Sequence, residues 1–250
     1  MKAIILAAGI GNRLAEQSKN KPKSLLEFDG KSLLERHIEI LLANHINDII
    51  IVTGYESEII IDHLNEIPAK IQFINNPRYT EGSIISLGCA RDILDNETGF
   101  ILMDADVLYD QQILERLINS DINNCFLLDQ DFIPGDEPVK LCINKQGHII
   151  EFRKQIAEDI DFNVIGESVG FFKFNNAIGK RIINRIDEYL ADNDNDAPYE
   201  EVLRDLLLED PGCFGYEDIT GLAWIEIDFP EDITRAKTEI LPNLSQTKDN

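Results

Sequence analysis

Apolar residues follow two alternating rhythms along this chain. Short continuous runs, KAIILAA (2–8), DIIIVTG (48–54), KIQFIN (70–75) and GFILMD (99–104), alternate with longer stretches whose apolar residues recur at helical spacing: SLLERHIEILLANH (32–45), SEIIIDHL (57–64) and SIISLGCARDIL (83–94). Strands that read as unbroken apolar runs, rather than as in-out alternation, belong to a parallel sheet covered on both faces. Strand–helix repetition therefore predicts an α/β fold with a doubly wound, mostly parallel sheet. After Asp121 the rhythm changes. NCFLLD, PVKLCIN and HIIEF read as strands, with a hairpin turn at Lys145-Gln146-Gly147. SVGFFKF reads as one more strand, followed by helices near 176–190 and 198–209 and a final strand, LAWIEID. Pro230 then opens a last helix. No linker or repeat divides the chain. The pattern predicts one domain over 1–250: a regularly alternating strand–helix half (1–120), a second half with a β-hairpin lid (121–241), and a frayed tail (242–250).

Charge changes the picture. The chain has 46 acidic residues against 23 Lys and Arg, a net charge of -23. Such a surface repels nucleic acid and anionic lipid, so neither is expected as a partner. No apolar run approaches the roughly 20 residues of a membrane span. Cys89, Cys125, Cys142 and Cys213 are far apart and form no C-x-x-C pair. That spacing argues against zinc and points to reduced thiols and a cytoplasmic location. Against this acidic background, Arg13, Lys19, Lys21 and Lys23 form a basic island immediately after the Gly9–Gly11 loop. The loop follows a strand, where open α/β sheets bind ligands, and its glycines let backbone N–H groups approach a phosphate. It fits neither G-x-G-x-x-G, since Leu14 replaces the third glycine, nor the G-x-x-x-x-G-K-[ST] loop.

One acidic pair and one further aspartate suggest a metal. Asp104 and Asp106 sit at the end of GFILMD; residues two apart on a strand point the same way, and paired carboxylates suit Mg²⁺. Helix capping is the plainer reading of such residues. Asp228, ending IEID before a helix, reads equally as a second ligand or as a local cap. DNDND (192–196) lacks the Gly and Glu that a calcium loop requires.

The sequence L-A-A-G-x-G-x-R-L over residues 6–14, followed by K-P-K at 21–23, resembles the small-molecule nucleotidyltransferase superfamily. Within that family, the chain looks most like the phosphocholine and aminoethylphosphonate cytidylyltransferases. The resemblance runs nearly end to end. It implies a Rossmann-like fold and a loop, Leu6, Ala7, Ala8, Gly9 and Gly11, that wraps a triphosphate. Arg13 and Lys23 would act on the leaving pyrophosphate. Gly82 and Ser83 would meet the base, and Asp104 would join the nucleotide site. Asp106 and Asp228 would hold Mg²⁺. Lys140, Lys154, Glu167 and Glu200 would receive the acceptor, with Glu201 nearby and with Tyr199 or Trp224 as a ring face for a cation; Trp224 reads equally as core.

The implied reaction transfers CMP from CTP to a small phosphorylated or phosphonylated acceptor. The alternative is a sugar-1-phosphate nucleotidylyltransferase using UTP, dTTP or GTP. The sugar-activating members carry E-K-P where this chain has EFRKQ (151–155), which disfavours a sugar. A homodimer is left open.

Overall fold

The computed structural model describes residues 1–14, 21–95 and 98–245. The chain begins with β1 (Lys2–Ala7), the short ribbon β2 (Glu27–Phe28) and β3 (Lys31–Ser32), α1 (Leu33–Ala43), β4 (Asp48–Thr53), α2 (Ser57–Leu64) and β5 (Ile71–Asn75). Next come α3 (Ser83–Cys89), α4 (Arg91–Leu94), β6 (Phe100–Asp104), β7 (Val107–Tyr109), α5 (Gln111–Asn119) and β8 (Cys125–Leu128). The second half continues with β9 (Lys140–Ile143), β10 (Ile149–Arg153), β11 (Val164–Glu167), β12 (Phe171–Phe174), α6 (Asn176–Ala191) and α7 (Tyr199–Glu209). It closes with β13 (Gly215–Asp218), β14 (Trp224–Glu226) and α8 (Pro230–Arg235).

Seven strands form the central sheet in the order β13-β8-β12-β6-β1-β4-β5. All pairings are parallel except those of β12, which runs antiparallel to β6 and β8. One face packs against α3, α6 and α7 through residues such as Ile84, Ile182 and Leu203; the other packs against α1, α2 and α5 through Leu34, Ile60 and Ile113. Both faces of β6 are sealed, which explains its unbroken apolar run. Truncating its fully buried Leu102 to Ala would cost about 2–5 kcal/mol. α1 starts where the pattern predicts because Ser32 and Glu35 form a reciprocal capping box. No helix among the described residues is long and apolar enough to cross a membrane.

Four details differ from the pattern. SIISLGCARDIL is broken at Ala90, whose N–H bonds the Leu87 carbonyl and tightens the turn. SVGFFKF is strand only from Phe171, as β12; the strand just before it, β11, matches none of the expected runs, pairs with β9 in a small three-stranded sheet, and leads into the central sheet through Gly170 at φ +77°. Asp106 lies beyond the end of β6, in a turn, so it does not share a strand face with Asp104. The tail expected to fray from 242 continues as a 3₁₀ turn (Leu241–Asn243), and the Ser245 N–H donates to Asp110 Oδ2 at 2.6 Å. Lys19 and residues 246–250 lie outside the described residues.

Candidate active site

The site lies beyond the carboxyl ends of β1 and β6. The two are neighbours, with Leu6 opposite Asp104, and β4 lies on the other side of β1. Strand order therefore reverses at β1, which is where open α/β sheets leave a crevice. The glycine loop leaves β1 here. Gly11 has φ +66°, and a Cβ on it would lie 3.1 Å from Lys23 Cβ. Glycine thus serves both the turn and its close packing against K-P-K. Leu6, Ala7, Gly9 and Gly11 line a cavity of about 130 Å³ together with Lys23, Ser24 and Asp106. Ala8 is buried beside it, its carbonyl accepting the Tyr55 N–H. The Ser24 hydroxyl is buried and has no hydrogen-bond partner among the described residues.

Lys23 links this cavity to a carboxylate clamp. Its Nζ lies 2.6 Å from Asp106 Oδ2 and 2.7 Å from Asp228 Oδ1. Burial works against the ammonium, yet Asp106, Asp228 and Glu226 together hold its pKa above the ordinary lysine value. Oxygens of Asp106, Glu226 and Asp228 lie within 4.8 Å of one another. The backbone fixes this convergence: β14 pairs with β7, and the Ile227 N–H donates to the Asp106 carbonyl at 3.0 Å. Asp232, not Asp228, caps the last helix, accepting the N–H groups of Asp228 and Phe229. The Asp228 carboxylate is thereby left for the clamp. Asp106 Oδ1 is buried without a hydrogen-bond partner among the described residues, and Glu226 is pushed above the usual carboxylate range by burial and by both aspartates. An all-oxygen donor set with an orphaned buried carboxylate oxygen suits a hard divalent cation.

Other sequence candidates are placed differently. Asp104 turns toward α7, where its Oδ2 accepts the Tyr199 hydroxyl at 2.7 Å. Burial first, then Asp106, Glu200 and Glu226, raise its pKa. The Asp104 carbonyl also lies 3.0 Å from His37 Nε2, which anchors the strand end. Tyr199 is accordingly buried and offers no open ring face. Glu200 is half-buried beside this group, its buried Oε2 without a partner among the described residues, while Glu201 pairs with Arg153 at the end of β10. Gly82 sits against the 196–197 backbone, where a Cβ would come 2.3 Å from the Ala197 carbonyl oxygen. The Ser83 hydroxyl accepts the Tyr199 N–H at 2.9 Å, so α3 and α7 are tied together at their first residues.

A second cavity, about 330 Å³, shares Glu226 and Asp228 with the clamp and is also lined by Asp129, Glu167, Trp224 and Arg235. Asp129 and Glu167 lie directly opposite each other and exchange both backbone hydrogen bonds. Like charges so placed are destabilising. Trp224 Nε1–H donates to Asp129 Oδ2 at 2.7 Å, and the Asp131 N–H to Oδ1. The Glu167 carboxyl has no hydrogen-bond donor or ion-pair partner among the described residues, and its pKa is pushed up to about 7, by burial first and then by Asp129. Over the cavity, Glu137 of the lid loop bridges Arg13 (3.2 Å) and Lys154 (3.1 Å). Arg13 also lies over the Phe229 ring at 4.7 Å and 4.0 Å from Asp228. Lys140 instead donates to the carbonyls of Gly135, Pro138 and Lys154, so its ammonium is committed to the lid backbone.

The structure thus brings together Arg13, Lys23, Asp106 and Asp228, and it adds Glu226, Ser24 and Asp129, which the sequence reading missed. Glu226 was legible: it lies two residues before Asp228 on the last strand, the spacing that puts two side chains on one side. Ser24 follows Lys23 directly, and its burial is the only further sign of a role. Nothing local marks Asp129, whose partner Glu167 is distant in sequence.

Residues 3–131 match the MobA-like NTP transferase domain. Across 93% of its length the chain is 30% identical to CTP:phosphoglutamine cytidylyltransferase of Campylobacter jejuni, covering 98% of that protein. Over 107 residues, 42% of this chain and 44% of the relative, it is 40% identical to choline-phosphate cytidylyltransferase of Streptococcus pneumoniae. The solved structure of CTP:phosphocholine cytidylyltransferase from Streptococcus pneumoniae shares the fold, with a TM-score of 0.72 at 22% identity, covering 94% of this chain and 97% of that one. The loop-and-lysine motif, the sheet topology and these matches lead to one assignment: the chain belongs to the MobA-like NTP transferase family of nucleotidyltransferases.

Proposed function

We propose that this chain transfers CMP from CTP to a phosphoryl or phosphonyl oxygen of a small acceptor whose other end carries a cation, releasing pyrophosphate. One observation carries this reading: the Asp106–Glu226–Asp228 clamp is shared by two cavities, a glycine-loop cavity with Lys23 and a pocket whose unpaired Glu167 stands against Asp129. The first suits a triphosphate, the second a compact cationic acceptor. Two relatives named as cytidylyltransferases, one of which names CTP, support cytosine as the base.

The acceptor oxyanion attacks the α-phosphorus, the bond to the β-phosphate oxygen breaks, and pyrophosphate leaves with the electron pair. The acceptor is ionised near neutral pH, so no general base is needed; positioning and charge neutralisation carry the catalysis. Backbone N–H groups around Gly9 and Gly11 and the Ser24 hydroxyl receive phosphate oxygens. Lys23 and Arg13 take up the charge that grows on the leaving group. Lys154, released from Glu137, meets the acceptor's phosphoryl group, while Asp129, Glu167 and the Trp224 indole hold its cationic end. Mg²⁺ held by Asp106, Glu226 and Asp228 would supply Lewis-acid polarisation of the α-phosphate when bound.

The test is a competition. CTP and Mg²⁺ are given with equal aminoethylphosphonate, phosphocholine, phosphoglutamine, glucose 1-phosphate and inositol phosphate, and the CMP conjugates are identified by mass. Amine-bearing products are expected. Preferential formation of a sugar or inositol product would overturn the acceptor reading and favour the sugar-1-phosphate alternative.

A further inference from the structure

We propose that the Lys23 ammonium is the resident cation of the carboxylate clamp, so that a divalent ion gains entry only when nucleotide phosphates draw Lys23 away. The proposal rests on reading the clamp as the divalent-ion site.

Occupancy is mutually exclusive. Lys23 Nζ stands 2.6 and 2.7 Å from one oxygen each of Asp106 and Asp228. A Mg²⁺ ion needs such oxygens at about 2.0–2.1 Å, in the same space. One cation or the other is needed, since converging carboxylates left without any repel each other and are costly to keep desolvated. The lysine is also suited to travel at one end only. Its side chain is just 14% exposed, and its Cβ fills the space left by the missing side chain of Gly11. The root is thus pinned beside the phosphate cavity that Lys23 itself lines. A triphosphate there offers the ammonium a new partner within a short swing, leaving the clamp open as the nucleotide arrives. The other cations of the site are held likewise, Arg13 and Lys154 both by Glu137. A ligand whose binding-competent state is only a fraction of the population binds more weakly by that fraction. Free divalent ion should therefore bind the resting protein weakly.

The test measures Mn²⁺ binding without nucleotide or acceptor, by the free-ion paramagnetic resonance signal and by calorimetry. Lys23→Gln is expected to bind Mn²⁺ at least tenfold more tightly than wild type. Lys23→Arg, which keeps the charge, should show no gain, and adding Asp228→Asn to Lys23→Gln should cancel it. Mn²⁺ should raise the melting temperature of Lys23→Gln more than that of wild type; Lys23→Met is the second neutral variant should the glutamine form not fold. Equal Mn²⁺ affinity in wild type and the neutral variant would overturn the proposal, as would a gain that survives Asp228→Asn. Because no acceptor or CTP is present, failure here leaves the proposed reaction standing, and failure of the transfer assay leaves this result standing.

Discussion

The two halves of the proposed site, one for nucleotide and one for acceptor, are built on different principles. The nucleotide side is mostly backbone, a glycine loop leaving β1 and a turn leaving β6, adjacent strands that hold each other in register. The acceptor side is mostly side chains from separate segments: Asp129 after β8, Glu167 ending β11, Trp224 opening β14 and Arg235 ending α8. Backbone sites are fixed by the fold and leave short, recognisable motifs. Side-chain sites assembled from distant segments leave none and can be altered one residue at a time. Chemistry common to a family belongs on the first kind of scaffold, choice of acceptor on the second.

That contrast is breakable. The largest effect is expected from Asp106→Asn, on the nucleotide side: turnover should fall roughly 10³-fold, since losing a carboxylate that serves the ion removes several kcal/mol of transition-state stabilisation. Circular dichroism should be unchanged, and a wild-type rate at limiting Mg²⁺ would remove Asp106 from the clamp. Next, Lys23→Ala should lower kcat about 10²-fold while changing acceptor KM less, as befits a group that meets charge growing in the transition state. A change confined to acceptor KM would move Lys23 to the other half.

Glu167→Gln should act on the acceptor side alone, raising KM for an amine-bearing acceptor about tenfold above neutral pH and leaving CTP KM unaltered. Its pH dependence sharpens the point. The Glu167 carboxyl titrates near 7, raised by burial and by Asp129. Its attraction for a cation therefore grows as pH rises through 7 and is lost as pH falls below it. The KM ratio of variant to wild type should shrink toward 1 on acidification; a pH-independent ratio would deny Glu167 the role. Smallest is Lys140→Met, which frees three lid carbonyls. Acceptor KM should rise about two- to threefold, with CTP KM untouched; equal effects on both would mean that the lid serves the nucleotide as well.

The sequence made the same division visible. Buried apolar runs gave the parallel strands, because β1, β4 and β6 are sealed on both faces, and the motif through Arg13 and K-P-K marked the glycine loop that packs against Lys23. It misled where a strand end had to be located. Asp104 and Asp106 share a spacing but not a strand, and the turn sends one toward Tyr199 and the other to the clamp. It was silent just before SVGFFKF, where the short β11 carries no apolar run and the chain crosses between two sheets at Gly170. The facing of Asp129 and Glu167 depends on long-range register, for which no local pattern exists.

Leu14, the residue after Arg13, packs in one small core with Ile225 and Ile227, which flank Glu226, and with Phe28 and Leu33. Glycine loop and clamp strand are therefore soldered to a common block, while the loop from Asp131 to Pro138 lies outside it. For protein engineering this is a natural partition. On the proposed reading, libraries in that loop and at positions 129 and 167 would retune which molecule is activated without shifting the transfer machinery, whereas a volume change at Leu14 or Ile227 would misalign loop and clamp together, even though both side chains are fully buried.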